Sequence, residues 1–383
     1  MNGRPTFDRG VRNISGCGLS GMMSLTGQRV DGRAIRESIA LLHDRANGLG
    51  GGFAAYGIYP EFPDHYALHM MYYSGAAKDA TERELDHGFD VARDERIPTR
   101  LVPTVNDPPL LWRYFVTPRG EAVAQAQAES EDDFVLRQVM RINAEIADAY
   151  VFSSGKNMGA FKGVGHAEDL ADFYRIEEYA AYIWVAHGRF PTNTPGWWAG
   201  AHPFTLLDWS VVHNGEISSY GINKRYLEMF GYRCTMRTDT EVMAYLLDLL
   251  VRRHGLPVEI ACKVISPPFW QSIDRMPPAP RNLYRTLRQV YASALVNGPF
   301  AIIFAHREAM VGVNDRIKLR PMVAARKDDF LYLASEEAAV RVLCPHPDLV
   351  WSPRAGEPVI GRLGQDTVVG APGSAPPQEV AHA

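Results

Sequence analysis

Three β-forming segments follow one another near the carboxyl end of this chain with no helix between them. They span residues 300–308, 310–316 and 322–335, and a turn at 327–329 divides the last of them. Parallel neighbours need a crossover connection, commonly a helix, and such helices do not regularly separate the strands of this sequence. The chain is therefore predicted to be α+β, with helices packed on antiparallel sheets.

The other periodic segments supply further strands and a set of helices. Runs rich in β-branched and aromatic residues predict strands, whereas apolar residues at helical spacing behind an Asp, Ser or Thr predict helices. The predicted strands are 17–27, 49–60, 65–73, 110–118 and 182–190, the predicted hairpins are 150–164 and 210–218, and the predicted helices are 31–48, 81–94, 130–149, 166–174, 238–254, 283–294 and 336–343.

The composition and charge of the chain argue against several classes of protein. Of the 383 residues 46% are hydrophobic and 22% are charged, and the formal net charge is −4 with both signs interspersed, so no nucleic-acid partner is expected. The four cysteines lie far apart without a C-x-x-C pair, which favours a reducing compartment and predicts neither a metal site nor a disulfide scaffold. The chain has neither a long apolar run nor a secretory leader, so we expect a cytoplasmic protein without a membrane span.

Asn214 and Gly215 stand between β-forming residues, where an Asn-Gly pair is the strongest short signal for a hairpin. A type I′ turn would explain the pair by itself. The stretch HNGE nevertheless carries more polar residues than a turn requires. Such a turn can point the Asn amide and the Gly N–H in one direction, as an oxyanion hole needs, so the two interpretations are compatible.

Arg189 and Asp239 each admit a structural and a functional interpretation, whereas Cys17 and His187 taken alone suggest only a structural one. Arg189 ends a predicted strand and could hold a carboxylate through two hydrogen bonds, although a solvated surface arginine is the simpler interpretation. Asp239 opens a predicted helix and could accept from a substrate ammonium or belong to an ordinary helix cap. Cys17 alone would be a small buried apolar residue, and His187 alone a structural histidine.

The order of the segments is more specific than any one of them. CGLSG at 17–21, HGRFPTNT at 187–194, HNGEI at 213–217 and TDTE at 238–241 follow one another along the chain. In this order they resemble the class II glutamine amidotransferases, which are N-terminal-nucleophile (Ntn) hydrolases, and most of all the amidotransferase domain of glutamate synthase. The stretches FKG, GPFAIIF, DRIKLRP and ASEEAAV strengthen this resemblance, which covers about residues 17–345.

The resemblance implies a role for each matching residue. Cys17 would attack the side-chain amide of glutamine, and Asn214 and Gly215 would stabilise the tetrahedral oxyanion. Arg189 would bind the α-carboxylate of the substrate and Asp239 its α-ammonium. A thiol with a pKa near ~8.5 needs a base, and an α-amine with a pKa of roughly 7.7–8.0 supplies one if Cys17 is the first residue.

Further assignments follow from the same resemblance. Thr192 and the segment 191–200 would form the glutamine loop, a lid over the substrate, and His213 would contribute to substrate binding. Cys17 does not follow the initiator Met, so residues 1–16 are expected to be a leader that is removed by cleavage after Gly16.

The implied architecture is a four-layer α-β-β-α sandwich of antiparallel sheets over residues 17–345. A long insert at 58–150 would be either a partner contact or a decorated surface. Residues 346–383 would form a C-terminal extension, and its last ~20 residues, rich in Gly, Pro and Ala, are expected to be disordered.

The expected function is that of a glutaminase subunit, which hydrolyses glutamine to glutamate and ammonia through a thioester on Cys17. The chain would carry no cofactor of its own. It would deliver ammonia to a separate FMN-dependent, glutamate-synthase-like partner in a hetero-oligomer, as in N-methylglutamate synthase. Two alternatives stay open: a non-catalytic regulatory or scaffold subunit with unprocessed Cys17, and a stand-alone Ntn amidohydrolase.

Overall fold

The structure is a computed structural model that describes residues 16–190 and 196–373. Its strands are β1 (Gly18–Ser24), β2 (Val30–Asp31), β3 (Gly51–Tyr56), β4 (Tyr66–Tyr72), β5 (Phe89–Arg96), β6 (Leu110–Pro118), β7 (Ala149–Ser153), β8 (Met158–Gly163), β9 (Ala180–Ala181), β10 (Ile183–Gly188), β11 (Phe204–Leu206), β12 (Trp209–Gly215), β13 (Phe300–His306), β14 (Ala309–Asn314), β15 (Val323–Lys327), β16 (Phe330–Ala334), β17 (Leu349–Trp351) and β18 (Val359–Arg362).

The helices are α1 (Arg33–Leu41), α2 (Gly75–Gly88), α3 (Gly120–Gln125), α4 (Glu131–Glu145), α5 (Ala167–Phe173), α6 (Tyr220–Glu228), α7 (Asp239–Leu247), α8 (Val258–Ile265), α9 (Trp270–Asp274), α10 (Pro278–Val290) and α11 (Glu337–Leu343). A short 3₁₀ turn at His43–Arg45 follows α1. Helices α4 and α7 have side-chain caps: the Ser130 hydroxyl accepts from the third residue of α4, and the Thr238 hydroxyl accepts from the second residue of α7. The helix predicted at 31–48 behind Asp31 begins instead at Arg33, after Gly32, without a side-chain cap. Within the described residues, no helix is both long and apolar enough to cross a membrane.

Two antiparallel sheets form the centre of the fold. The first contains seven strands in the order β17-β15-β16-β1-β10-β3-β8, and the second contains five in the order β11-β12-β13-β14-β18. The consecutive strands β13 and β14, like β15 and β16, pair with each other. The prediction of antiparallel sheets is therefore confirmed.

The two sheets bury an aliphatic core between them. Leu19 and Met23 of β1 lie in one buried cluster with Val212 of β12 and Ile303 of β13, whereas Met22 belongs to the core on the opposite face of the first sheet. Successive side chains of a strand point to opposite faces, and both faces of β1 are covered. This explains why β1 is apolar throughout instead of alternating.

Helices pack on the outer faces of these sheets. α1 and α5 contact the first sheet through β1, β10 and β3, and α11 covers β15 and β16, while α7 packs against β11 and β12 of the second sheet. The segment predicted as an insert, 58–150, contributes a separate four-stranded sheet in the order β5-β6-β4-β7 together with helices α2, α3 and α4.

The helix predicted at 81–94 is wrong in its second half. Helix α2 ends at Gly88, and Phe89–Arg96 form β5, an edge strand that pairs with β6. Most side chains of β5 beyond Phe89 are charged and exposed, and a bulge between Val91 and Arg93 interrupts the alternation. A polar edge strand of this kind lacks the two-residue hydrophobic period that predicts strands.

Both predicted hairpins are also wrong. Within 150–164, β7 pairs with β4 and β8 pairs with β3, so these two strands lie in different sheets. At 210–218 the chain does not form a hairpin either. Asn214 and Gly215 end the single strand β12, which pairs with β13, and the chain then runs into α6. Gly215 has φ +147°, and a side chain there would collide with the Pro299 carbonyl oxygen. The glycine therefore serves a close backbone approach and not a type I′ turn.

The carboxyl end belongs to the sheets. Strand β17 pairs with β15 at the edge of the first sheet, and β18 pairs with β14 at the edge of the second. Val368 is buried, and Val369 forms a bridge with Ile360. Residues 364–373 are thus folded, in contrast to the expected disordered tail, and residues 374–383 lie outside the described part of the chain.

Candidate active site

Cys17 lies directly before β1, whose antiparallel partner β10 ends opposite it. Gly18 pairs with Gly188, so the two residues that follow β10, Arg189 and Phe190, come to lie beside Cys17. The Phe190 N–H donates to Cys17 Sγ across 3.4 Å. The pairing of β1 with β10 therefore places the segment CGLSG beside the start of the segment HGRFPTNT.

The end of β12 brings Asn214 and Gly215 to the same region. Gly215 lies opposite Phe300, whose N–H donates to Asp315 Oδ2 at 3.1 Å and whose carbonyl accepts from the Asp315 N–H at 2.8 Å. Both backbone groups of Phe300 are thus turned away from β12, which makes Gly215–Phe300 a non-hydrogen-bonded pair. The N–H of Gly215 consequently points away from β13 and is not used in that ladder.

A cavity of about 300 Å³ lies between the ends of these strands and the start of α7. Its wall includes Cys17, Arg189, His213, Gly215 and Asp239. Residues from both sheets and from a helix therefore face one small space, which is close to the lower limit for pockets that bind small molecules.

The Cys17 thiol is not reactive by itself. Burial raises its pKa, and the Phe190 N–H and the Arg189 guanidinium offset this only in part. A thiol in this state is protonated at neutral pH and needs a base before it can attack. The backbone nitrogen of Cys17 is bonded to Gly16 in this chain and, as an amide nitrogen, is not basic.

Arg189 and Asp239 place opposite charges beside Cys17. Arg189 is only 4% exposed, and although burial lowers its pKa, a guanidinium remains charged. Burial raises the pKa of Asp239, but the nearby His213 imidazole and hydrogen bonds from the Ile217 N–H and the Thr240 hydroxyl outweigh it and lower that pKa to about 2. A buried cation and a half-buried anion beside one cavity suit a zwitterionic ligand such as a free amino acid.

Asn214 holds a buried donor without a partner. The residue is 1% exposed, and among the described residues Nδ2 has no hydrogen-bond partner. Asn214 lies behind Gly16: a Cβ built on Gly16 would be 3.4 Å from Asn214 Oδ1. Buried polar groups are nearly always paired, so this orphaned amide next to Gly16 indicates a function.

Comparison with known proteins identifies the family. The sequence profile of "Glutamine amidotransferases class-II" matches residues 61–345. The chain belongs to this family. The prediction that it is a glutamine amidotransferase enzyme is thereby confirmed. The matched range contains Arg189, Asn214, Gly215 and Asp239 and begins after Cys17.

Relatives of this amidotransferase differ in length and in known activity. An uncharacterized protein of Archaeoglobus fulgidus is 53% identical over 350 residues, which are 91% of this chain and 92% of that protein. A glutamine–fructose-6-phosphate aminotransferase of Helicobacter pylori is 26% identical over 51% of this chain and 28% of its own length. An amidophosphoribosyltransferase of Methanocaldococcus jannaschii is 23% identical over 50% of this chain and 36% of its own length. The chain thus spans well under half of these two relatives with named activities.

A solved structure, the glutamine phosphoribosylpyrophosphate amidotransferase from B. subtilis complexed with ADP and GMP, aligns over 90% of this chain and 47% of its own. The TM-score is 0.45 and the sequence identity is 14%.

A network of hydrogen bonds among residues that line the cavity of this amidotransferase was not predicted. The Thr240 hydroxyl lies 2.8 Å from His202 Nε2, 3.1 Å from His213 Nδ1 and 3.2 Å from Asp239 Oδ1. His202 stacks on His187 with ring centroids 4.1 Å apart, and His187 donates from Nε2 to the His213 carbonyl at 2.9 Å. The sequence singled out His213 and Asp239 of this network, but its only signal for Thr240 was the second threonine of TDTE, which an ordinary helix cap would also explain.

The structure brings six of the seven predicted site residues together, namely Cys17, Arg189, His213, Asn214, Gly215 and Asp239. His213 lies behind the carboxylate, with Nδ1 3.6 Å from Asp239 Oδ1. Thr192 lies outside the described residues.

Proposed function

We propose that this chain is a glutaminase that hydrolyses glutamine to glutamate and ammonia through a thioester on Cys17. The observation that carries the proposal is the small cavity in which a half-buried thiol, a buried guanidinium and a half-buried ionised carboxylate meet. Membership of the class II glutamine amidotransferase family indicates glutamine as the substrate.

Substrate selection follows from the two charges. The Arg189 guanidinium binds the α-carboxylate of glutamine, and Asp239 accepts hydrogen bonds from its α-ammonium. A glutamine side chain within a peptide lacks both charges, so it would make neither of these two contacts. His213 positions the Asp239 carboxylate from behind, and Thr192 contributes from the glutamine loop.

The first half of the reaction forms the thioester. Once residues 1–16 are removed, the α-amine of Cys17 takes the Sγ proton, and the thiolate attacks the side-chain amide carbon. The negative charge that moves onto the amide oxygen is stabilised by the Asn214 Nδ2–H and the Gly215 N–H. When this intermediate collapses, the carbon–nitrogen bond breaks, and the protonated α-amine gives its proton to the leaving nitrogen, which departs as ammonia.

The second half releases glutamate. The α-amine of Cys17 takes a proton from water, and the resulting hydroxide attacks the thioester carbon. The same two donors stabilise the second oxyanion. The carbon–sulfur bond then breaks, Sγ recovers the proton, and glutamate leaves. The proton balance of both halves requires a free amine on Cys17, which is why cleavage between Gly16 and Cys17 is part of the proposal.

The Ntn sandwich and the synthase partner complete the proposal. Two facing antiparallel sheets with helices on their outer faces are compatible with four α-β-β-α layers. The motif resemblance to glutamate synthase supports a glutaminase subunit that passes ammonia to an FMN-containing partner. This narrower role rests on the sequence motifs alone.

Intact-mass measurement and a glutaminase assay test the proposal. Protein expressed in its native host is expected to begin at Cys17 and to release ammonia and glutamate in equal amounts. The Cys17→Ala variant is expected to be inactive, and Cys234→Ala serves as the matched control, since Cys234 is absent from the wall of the cavity.

Two results would contradict this function. Glutamine hydrolysis by protein that retains residues 1–16 would exclude the α-amine as base. Processed protein that is inactive on glutamine but hydrolyses another amide would favour the stand-alone amidohydrolase. For the partner, co-purification of an FMN-containing protein with the processed chain is expected.

A further inference from the structure

A cluster of three potential metal ligands lies apart from the cavity, where the turn after α1 meets the start of α5. His43 Nδ1 is 2.5 Å from Glu168 Oε1, and the rings of His43 and His166 stack with centroids 4.0 Å apart. One donor atom from each of the three side chains lies within 4.8 Å of the other two. Within residues 16–190 and 196–373 no other group of three His, Cys, Asp or Glu side chains meets this distance criterion.

The framework around this cluster is fixed. His43 begins the 3₁₀ turn after α1, His166 is the residue that caps α5, and Glu168 lies in the first turn of α5. Arg36 of α1 donates to both carboxylate oxygens of Asp172 of α5, from Nε at 2.8 Å and from Nη2 at 2.6 Å. The two helices that supply the ligands are therefore clamped together before any ion binds, which lowers the ordering cost of binding.

The donor chemistry selects a class of metal. Two imidazoles and one carboxylate suit zinc and similar divalent transition ions, whereas magnesium and calcium prefer sites made wholly of oxygen. His166 Nδ1 is buried and, among the described residues, has no hydrogen-bond partner. An ion pair between His43 and Glu168 would not require a second histidine with an unused nitrogen beside it.

We propose that His43, His166 and Glu168 bind a divalent transition-metal ion of the zinc class, with water completing its coordination. Three protein ligands with an open position make a site of moderate affinity on the surface of the protein. The proposal concerns metal binding alone and does not depend on the glutaminase function.

The position of the site links it to the loop beside the cavity. The 3₁₀ turn that begins with His43 ends with Arg45, whose Nε donates to the Cys17 carbonyl at 3.2 Å. Beyond it, the Asn47 N–H donates to the Arg189 carbonyl at 3.2 Å. A metal that joins His43 to α5 would therefore hold residues 43–50 in place, and we expect slower amide hydrogen exchange in this segment when zinc is bound.

Zinc titration of the metal-free protein tests the site. The full chain, without a histidine tag and after treatment with a chelator, is titrated with Zn²⁺ by calorimetry. The same titration is made in the Cys17→Ala background, which removes the accessible thiol of the cavity. We expect one bound zinc per chain in both backgrounds.

Substitutions then locate the ion. Glu168→Gln and His43→Ala are each expected to weaken binding at least tenfold, since loss of an outer-shell partner alone commonly costs about 10–100-fold. His87→Ala, which removes an exposed histidine on α2, is the matched control and is expected to leave the affinity unchanged. Cobalt bound at the site is expected to show a ligand-field spectrum without a thiolate charge-transfer band.

The outcomes that overturn the proposal are distinct from those that test the glutaminase. No binding of zinc by folded wild-type protein would refute the site. So would binding that is lost with Cys17→Ala, or that is equal in wild type, Glu168→Gln and His43→Ala. Thermal unfolding of each variant verifies its fold, and the conservative Glu168→Gln carries the test if His43→Ala unfolds.

Discussion

Replacement of Asn214 by alanine separates binding of the substrate from stabilisation of the oxyanion. Nδ2 is buried and has no hydrogen-bond partner among the described residues, so the substitution removes a donor that is not used in the free enzyme. The glutamine amide carries little charge on its oxygen before attack, and the full charge develops only in the tetrahedral intermediate. The variant should therefore bind glutamine normally and react slowly.

The expected fall in kcat follows from the number of hydrogen-bond donors to the oxyanion. In the proposed mechanism Asn214 and Gly215 supply two, and the Gly215 N–H remains in the variant because the backbone of β12 pairs with β13. Loss of one of two such donors lowers kcat by about 10²–10³-fold, or about 2.7–4 kcal/mol. Because the interaction is confined to the transition state, kcat/KM should fall by the same factor and KM should stay unchanged.

The assay is steady-state release of glutamate by processed enzyme, with Asn143→Ala as the control. Asn143 lies on α4, far from the cavity in the segment 58–150, and its amide bonds to the Val151 carbonyl at 3.2 Å and accepts from the Val151 N–H at 2.7 Å. Its loss should reduce the free energy of unfolding by about 1–3 kcal/mol and leave kcat unchanged. Asn214→Ala should instead lower kcat and leave the free energy of unfolding unchanged.

Two results would refute this reasoning. A fall in kcat of less than about tenfold would mean that Asn214 does not stabilise the oxyanion. A rise in KM that matches the fall in kcat/KM, with kcat preserved, would mean that the amide contributes to ground-state binding instead.

Three further predictions concern the charged and polar groups around the cavity. The pKa of Asp239 is about 2 instead of 3.8, so its carboxylate should contribute about 2 kcal/mol above pH ~4 that is lost as the pH falls towards 2, and urea unfolding of Asp239→Asn should lack this loss. Thr240→Val should destabilise the protein by about 1–3 kcal/mol, because His202 and His213 lose a buried partner, and Thr240→Ser should restore stability in the same urea assay. Burial lowers the pKa of Lys162 from 10.5 to about 7, so wild-type stability should rise between pH 7 and 10.5, and this rise should be absent from Lys162→Met.

Local patterns predicted the elements of the core well and the edges of the sheets poorly. The apolar runs that became β1, β10 and β13 are buried on both faces, and they were found because such runs have few alternatives. Strand β5 was missed because an edge strand exposes charges, and β17 and β18 are only three and four residues long. Their conformation is imposed by the neighbour to which each of them pairs.

The residues of the candidate site could likewise be predicted only in part from the sequence. The order of motifs predicted six residues that the structure places together, but no single motif did so. Asn-Gly is a strong hairpin signal at short range, yet the partner strand of Asn214 begins at residue 300, and this distant pairing overrides the local preference. The bond between Thr240 and His202 spans 38 positions, so no sequence period could reveal it.

Gly16 explains how one peptide bond can control such a site. A Cβ built on Gly16 would lie 3.4 Å from Asn214 Oδ1 and 3.3 Å from an Arg320 guanidinium nitrogen, so the residue before Cys17 lies next to the Asn214 side chain. While the bond to Gly16 is intact, the nitrogen of Cys17 is an amide nitrogen and is not a base. Cleavage would convert it into an α-amine, which the proposed mechanism requires. Processed Cys17→Ser keeps the α-amine and replaces the thiol with a weaker nucleophile, so in the glutaminase assay it should still bind glutamine and turn it over slowly.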